Sequence, residues 1–336
     1  MRKFHYLLGL AVSAVFVFLF LRNIHPQELF QALAEADYWY VIPLFFANVL
    51  ALFFRSFRWK YLLSPIKKIP LLSLLPAAFI GFMANIILPA RFGELVRAYI
   101  IGKKEKISKS SSFATIIVER LFDGFIVILL FSLTLLFFPY VKMGHEGLSL
   151  KGIRVGGYLF MFFCSSLLFF LIILKIKTVS INNILKKILS PLPSSVIEKI
   201  IKMITSFSEG LSILNNYKEI GIVMLSSLVI WSIYVLVTYI LFSAFNLQLP
   251  LMAAVFIQAV LALGVALPSA PAYVGTFHLA CALGLMALGI PSQYAQSYAI
   301  ILWFIDIFPA ILLGLIYLWS EGLNLKKIKV ESSALD

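Results

Sequence analysis

The chain has 336 residues, 62% of them hydrophobic and only 13% charged, with a mean hydropathy of +1.00. Soluble domains carry about a quarter charged residues, so this composition excludes a soluble enzyme and fits an all-α helical bundle embedded in a membrane. The net charge of +13 comes without a nucleic-acid-binding module or a basic-aromatic stacking platform, so membrane topology and lipid head groups explain it better than nucleic acid.

Apolar segments run at about 5–21, 38–62, 71–90, 113–138, 155–174, 220–245, 251–290 and 293–319, and a full crossing needs roughly 20 residues. The first is longer than a signal-peptide core and lacks a small-residue cleavage site, which predicts an uncleaved first transmembrane helix. Basic residues mark the cytoplasmic side. They gather at Arg2-Lys3, Arg55 to Lys68, Arg91 to Lys109, Lys175 to Lys218, and Lys326-Lys327-Lys329. Both termini are therefore expected in the cytoplasm, with residues 1–325 as one membrane domain and 326–336 as a basic, then polar, tail.

Segment 71–90 lies between two basic stretches, so it cannot be a simple crossing. Its Pro76, Gly81 and Pro89 predict a helix-break-helix hairpin that enters and leaves on one side. Segment 251–290 is about two spans long, with a Gly- and Pro-rich middle from Gly264 to Gly275. The expectation is six full spans and two re-entrant hairpins dipping from opposite faces, with Leu88-Pro89 and Leu267-Pro268 as paired breaks of inverted repeats. A kinked pair of ordinary spans is the alternative for the second segment.

Residues 178–218 form the largest extramembrane piece. Ile181, Ile184, Leu185, Ile188 and Leu189, then Val196, Ile197, Ile200, Ile201 and Ile204, recur at helical spacing with lysines between them, and Pro191 and Pro193 separate two short helices. Such helices suit the anionic surface of the cytoplasmic leaflet. Cys164 and Cys281 sit in apolar segments as small hydrophobes. The four histidines are dispersed, and zinc-protease, nucleophile-elbow, P-loop and Cys-x-x-Cys patterns are absent. No enzyme activity, metal or cofactor is expected.

Two charged groups stand out against this background. Arg91, Glu94 and Arg97 recur every three residues after the apolar run from Asn85, and a helix starting after Pro89 places them near one face. Glu119, Arg120 and Asp123 open the 113–138 span, with the two carboxylates sharing a face. Each carboxylate is positioned to meet Arg91 or Arg97. The network either pins a hairpin to a helix or leaves arginine charge for a lipid phosphate, whose oxygens match the guanidinium fork. Asp306 is a lone carboxylate inside the last span, where such groups face the bundle interior. A contact with His278 or the second hairpin is expected for it.

The motifs Asn85-x-x-Leu-Pro-Ala-Arg-x-Gly-Glu-x-x-Arg97, Glu119-Arg-x-x-Asp123 and Leu267-Pro-Ser-x-Pro-x-x-x-Gly-Thr-Phe277 resemble the lysylphosphatidylglycerol synthase transmembrane region, or flippase-like, family. That family is similar to the flippase half of the multiple peptide resistance factor. The resemblance implies a lipid translocase of the cell membrane, or a lipid-handling partner of a separate transferase, acting on a phospholipid or glycolipid. A homo-oligomer fits equally, and a secondary transporter of a small anion is the rival. The implied binding residues are Asn85, Arg91, Glu94, Arg97, Glu119, Arg120 and Asp123, then Pro268, Ser269, Pro271, Gly275, Thr276 and His278, with Asp306 added on physical grounds. Arg91 and Arg97 are the expected phosphate holders. The chain departs from the family at Ala272-Tyr273, where glycines are common, at His278, where a glutamate is common, and at Trp303, where a histidine is common. Exchanging a carboxylate for an imidazole alters the affinity for a cationic head group.

Overall fold

The computed structural model describes residues 15–20, 26–88, 91–137, 150–188, 194–266 and 270–323, and all regular structure among them is helical. Backbone groups in hydrocarbon have no water to bond, and a helix satisfies them within one segment. After a helical stretch at 15–20 come α1 (Pro26–Ala34), α2 (Val41–Leu63), α3 (Leu71–Ile87), α4 (Gly93–Glu105), α5 (Lys109–Phe137) and α6 (Leu150–Ile176). They are followed by α7 (Thr178–Ile188), α8 (Ser194–Gly210), α9 (Tyr217–Ala244), α10 (Leu251–Ala266), α11 (Thr276–Ala287) and α12 (Ser292–Ser320). The protein is an integral membrane protein. Three stretches, Tyr38–Leu63, Tyr217–Ala244 and Ser292–Ser320, are long and apolar enough to cross a membrane, and a bent pair at Leu168–Ile188 would add a fourth. Helices α5 and α6, with 29 and 27 residues, also have the length of a span.

Helices α2 and α9 pack antiparallel. The Asp37 amide donates to the Ala244 carbonyl at 2.8 Å where α2 begins and α9 ends. Toward the other end, Arg58 of α2 donates to Ser227 of α9, also at 2.8 Å. The bundle thus has two ends. One holds the close of α2, α4 and α12, tied by Lys67–Glu105 and Lys104–Glu321 contacts at 2.8 and 2.7 Å. Its lysines make it the basic end.

The two helix pairs α3–α4 and α10–α11 are hairpins. Lys67, just before α3, reaches Glu105, the last residue of α4, so the first hairpin opens and closes at the basic end. The second opens and closes at the opposite end, where Phe245, Asn246 and Leu247 share a cavity wall with Pro291, Tyr294 and Glu35. Each limb has 12 to 17 residues. That gives about 18–26 Å at 1.5 Å per residue, short of the ~30 Å hydrocarbon thickness. The tips meet, since α3 packs against the turn Pro271–Tyr273. The core divides accordingly: one buried cluster surrounds α3 and α4, and another surrounds α10 and α11.

Two sequence expectations need correction. The first hairpin does not break at Pro76 or Gly81. Helix α3 runs unbroken through both to Ile87, and the return limb is α4. A ring early in a helix forfeits one backbone bond, which surrounding packing offsets when the residue is buried as Pro76 is. Likewise, Arg55 and Arg58, counted among the basic markers of the cytoplasmic side, are built into the bundle. Both lie within α2, and Arg58 is fully buried.

Candidate functional site

The site starts with two glycines. Gly93 lies directly on the Gly81 carbonyl and the Asn85 backbone, with no space for a side chain. Gly81 in turn lies beneath the methylenes of Arg97. Where hydrocarbon gives helices little hydrophobic reason to associate, small residues allow the close approach that holds them. This contact carries the Arg97 guanidinium inward, 4.0 Å over the Trp59 ring and 5.0 Å from that of Phe82. Trp59 is fixed by donating to Thr115 at 3.1 Å.

Glu119 is the hub. Its Oε1 accepts from Arg58 at 3.0 Å and from Arg120 at 2.7 Å, while Oε2 accepts from Arg97 at 2.7 Å. Asp123, one turn on, takes Arg58 Nη1 at 2.6 Å and Arg120 Nη1 at 3.1 Å, and accepts from Trp231 Nε1 at 3.3 Å. Glu94 stands 3.6 Å from Arg120 Nε. Three guanidinium groups thus face three carboxylates drawn from α2, α4 and α5. Such balance is what makes buried charge tolerable.

Exposure is graded across the cluster. The side chains of Arg58, Glu119 and Arg97 are 0%, 0% and 1% exposed, whereas Arg120, Asp123 and Glu94 are 27%, 16% and 16% exposed. The first three form a closed lock, and the last three present an open face. Arg97 therefore does not fit the expected role of phosphate holder, because it is buried, with Nη2 on Glu119, its guanidinium against aromatic rings and its Nε enclosed without a partner. Asp123 meets Arg58 and Arg120 rather than Arg91.

The hairpin tips come together beside this face. Arg91 donates from Nη2 to the Val265 carbonyl at 3.1 Å, in the last turn of α10, where helix dipoles favour cations. Its guanidinium lies 6.0 Å from the Tyr273 ring. Backbone strain gathers at both tips: Arg91, Ala272 and Tyr273 have φ of 52°, 60° and 56°, and Gly275 takes φ 90°, which glycine adopts without a Cβ clash. Left-handed non-glycine residues persist only where their surroundings over-determine them, which is common at binding sites. Here Trp303 holds the Ala272 carbonyl at 2.7 Å, and Thr276 donates to the Tyr273 carbonyl at 3.2 Å.

Of the other expected residues, Asn85 lies against Gly93 with its Oδ1 enclosed and unpartnered. Pro271 opens the turn at the second tip. Pro89, Leu267, Pro268 and Ser269 lie outside the described residues. His278 is packed among Phe20, Phe277 and Trp303, at 5.4, 6.1 and 5.1 Å between ring centroids. Asp306 does not pair with it. Its polar neighbour is Asn48 of α2, Cys281 of the second hairpin lies in its field, and its Oδ1 is enclosed without a partner. Among the described residues, no three His, Cys, Asp or Glu side chains converge as a metal site.

Sequence reasoning missed the contribution of α2. Arg58 joins both carboxylates, Trp59 carries Arg97, and Arg55 stacks 4.1 Å over Phe82 with Tyr234 as its hydrogen-bonding neighbour. Among the described residues, Arg55 has no carboxylate partner. The signal was present as Arg55-x-x-Arg58-Trp59 in the last turns of an apolar helix, but counting these arginines as topology markers concealed it.

The family model described as "Lysylphosphatidylglycerol synthase TM region" matches residues 6–314. A UPF0104 membrane protein of Methanocaldococcus jannaschii is 25% identical over 309 residues, covering 87% of this chain and 88% of that protein. A UPF0104 membrane protein of Methanothermobacter thermautotrophicus is 33% identical over 116 residues, 34% of each chain. Glycosyltransferase AglD of Haloferax volcanii is 31% identical over 116 residues, 34% of this chain but 19% of that protein. With the family model spanning nearly its whole length, the chain belongs to the lysylphosphatidylglycerol synthase transmembrane region family.

Proposed function

We propose that the protein is a lipid translocase that moves a phospholipid or glycolipid between leaflets. Six spans cross the bilayer: the apolar segment 5–21, most of which lies outside the described residues, and α2, α5, α6, α9 and α12. The two hairpins re-enter from opposite faces. The basic end is cytoplasmic by the positive-inside rule, which puts both termini in the cytoplasm of a cell-membrane protein. The single observation that carries the reading is the meeting of two oppositely entering hairpin tips at the Arg91–Val265 contact, beside the open face of Arg120, Asp123 and Glu94. Broken helices meeting near mid-membrane are the usual setting of a transport site. Arg91, supported by Arg55, holds the lipid phosphate while the acyl chains stay in the bilayer; Arg120, bound to its carboxylates, shapes the open face, and closed-lock residues keep the tips in register.

Reconstitution into liposomes with fluorescent phospholipids, followed by dithionite quenching, tests this. The expected result is loss of protected inner-leaflet signal beyond empty liposomes, reduced by Arg91→Ala in protein that still folds. No acceleration with anionic, zwitterionic or aminoacylated lipids refutes it.

A second reading is favoured by the similarity to a glycosyltransferase over 116 residues. In it the chain presents lipid to a separate transferase without translocating it. Co-purification with such an enzyme, and loss of its product on deletion, would support that reading.

A further inference from the structure

We propose that the α7–α8 hairpin is a binding plate for anionic phospholipid head groups, lying in the plane of the leaflet at the basic end. The inference rests on membrane integration and on α6 crossing the bilayer, and does not need the translocase reading.

Helix α6 exposes Tyr158, Leu159, Phe162, Phe169 and Phe170 along its length, a pattern suited to lipid contact. At Ile176 the chain turns, and α7 leaves at 88° to the last turns of α6. If α6 crosses the bilayer, α7 must run along its surface. On α7, Ile181, Ile184, Leu185 and Ile188 share one face. Ile184 and Ile188 are 55% and 66% exposed, while Ile181 packs on the core. Lys186 and Lys187 lie off that face and are exposed. On α8, Ile204 and Phe207 reach the core, whereas Val196 and Met203 are exposed beside Lys199 and Lys202. A surface with apolar anchors and exposed ammonium groups, which make no ion pair among the described residues, has the chemistry of an anionic leaflet ligand.

The plate is fastened to the bundle. Within the plate, Asn182 donates to Thr205 at 3.0 Å and the Thr178 and Ser208 hydroxyls meet at 2.7 Å, joining α7 to α8, and Ser111 of α5 donates to the Ser206 carbonyl at 2.6 Å. Gly210 lies against the Ser111 carbonyl with no space for a side chain. Lys175 is spent internally, donating to Ser212 at 3.0 Å and to the Ser208 carbonyl at 3.3 Å. The four outward lysines are therefore the lipid-binding set. They sit on a hairpin clamped to the start of α5, the helix that carries Glu119, Arg120 and Asp123.

The test uses the full chain with Cys164→Ala and Cys281→Ala, reconstituted in phosphatidylcholine vesicles with and without phosphatidylglycerol. Spin labels placed by Ile188→Cys and by Lys187→Cys should differ. The first should be more accessible to oxygen than to a nickel chelate, and the second the reverse. Ile184→Cys repeats the measurement if Ile188→Cys does not fold. With Lys186, Lys187, Lys199 and Lys202 all changed to Gln, association of spin-labelled phosphatidylglycerol should fall severalfold, and that of phosphatidylcholine should stay constant. Equal water accessibility at both positions, or phosphatidylglycerol association that survives neutralisation, overturns the proposal. Neither result bears on translocation.

Discussion

Replacing Glu119 by Gln probes the closed lock most directly. The glutamate accepts from Arg58 and Arg120 on one oxygen and from Arg97 on the other. Gln keeps the shape but offers one carbonyl and one amide, and the amide must face a guanidinium, donor against donor. Arg58 and Arg120 have Asp123 as a second acceptor, so the carbonyl will turn to Arg97 and the amide will disrupt the other pair. The cluster also gains one uncompensated positive charge at a fully buried position. Removing one partner of a buried ion pair costs about 3–5 kcal/mol, a drop of roughly 100- to 4,000-fold in the folded ratio at 1.4 kcal/mol per decade. Unfolding of the purified protein in mixed micelles with increasing dodecyl sulfate, followed by tryptophan fluorescence, measures it. Lys67→Ala, at an exposed pair with Glu105, is the control and should cost less than about 1 kcal/mol. If Glu119→Gln falls no further than this control, the lock is not what holds the first hairpin to α5.

Three other outcomes follow from the packing. Arg97→Lys keeps the charge beside Glu119 but gives up the flat stack on Trp59 and Phe82; about 1–2 kcal/mol should be lost in the same assay. Gly93→Ala places a methyl on the Gly81 carbonyl and the Asn85 backbone, neither of which can rotate away. Overpacking of about 1–3 kcal/mol or more should appear as reduced folded yield and increased protease sensitivity within 71–105. Asp306→Asn is expected to leave stability within about 1 kcal/mol of the parent or raise it, because among the described residues no cation pairs with this carboxylate and a neutral isostere is cheaper to bury. A loss above about 2 kcal/mol would show that the fold needs the charge.

Sequence alone determined what depends on solvent. A chain this apolar must satisfy its backbone with helices, and hydropathy placed 38–62, 220–245 and 293–319 against observed stretches of Tyr38–Leu63, Tyr217–Ala244 and Ser292–Ser320. The break between α7 and α8 was legible because prolines interrupt helical spacing. The spacing of Arg91, Glu94 and Arg97 suggested a helix after Pro89, but α4 starts only at Gly93 and carries Glu94 and Arg97, while Arg91 precedes it at φ 52° and does not share their face; the Arg97–Glu119 pair followed from charge economy. Tertiary structure alone decided that α3 passes Pro76 unbroken and that α4 is the return limb, because Pro76 breaks a helix only if its neighbours fail to compensate. It alone also separated the spent arginines from the available ones. Arg97 and Arg91 look alike in sequence, yet one is sealed between Trp59 and Glu119 while the other reaches across to Val265. The partners that settle this, Trp59 and the second hairpin tip, stand 38 and 174 positions away from them, and nothing in local periodicity reports contacts over such distances.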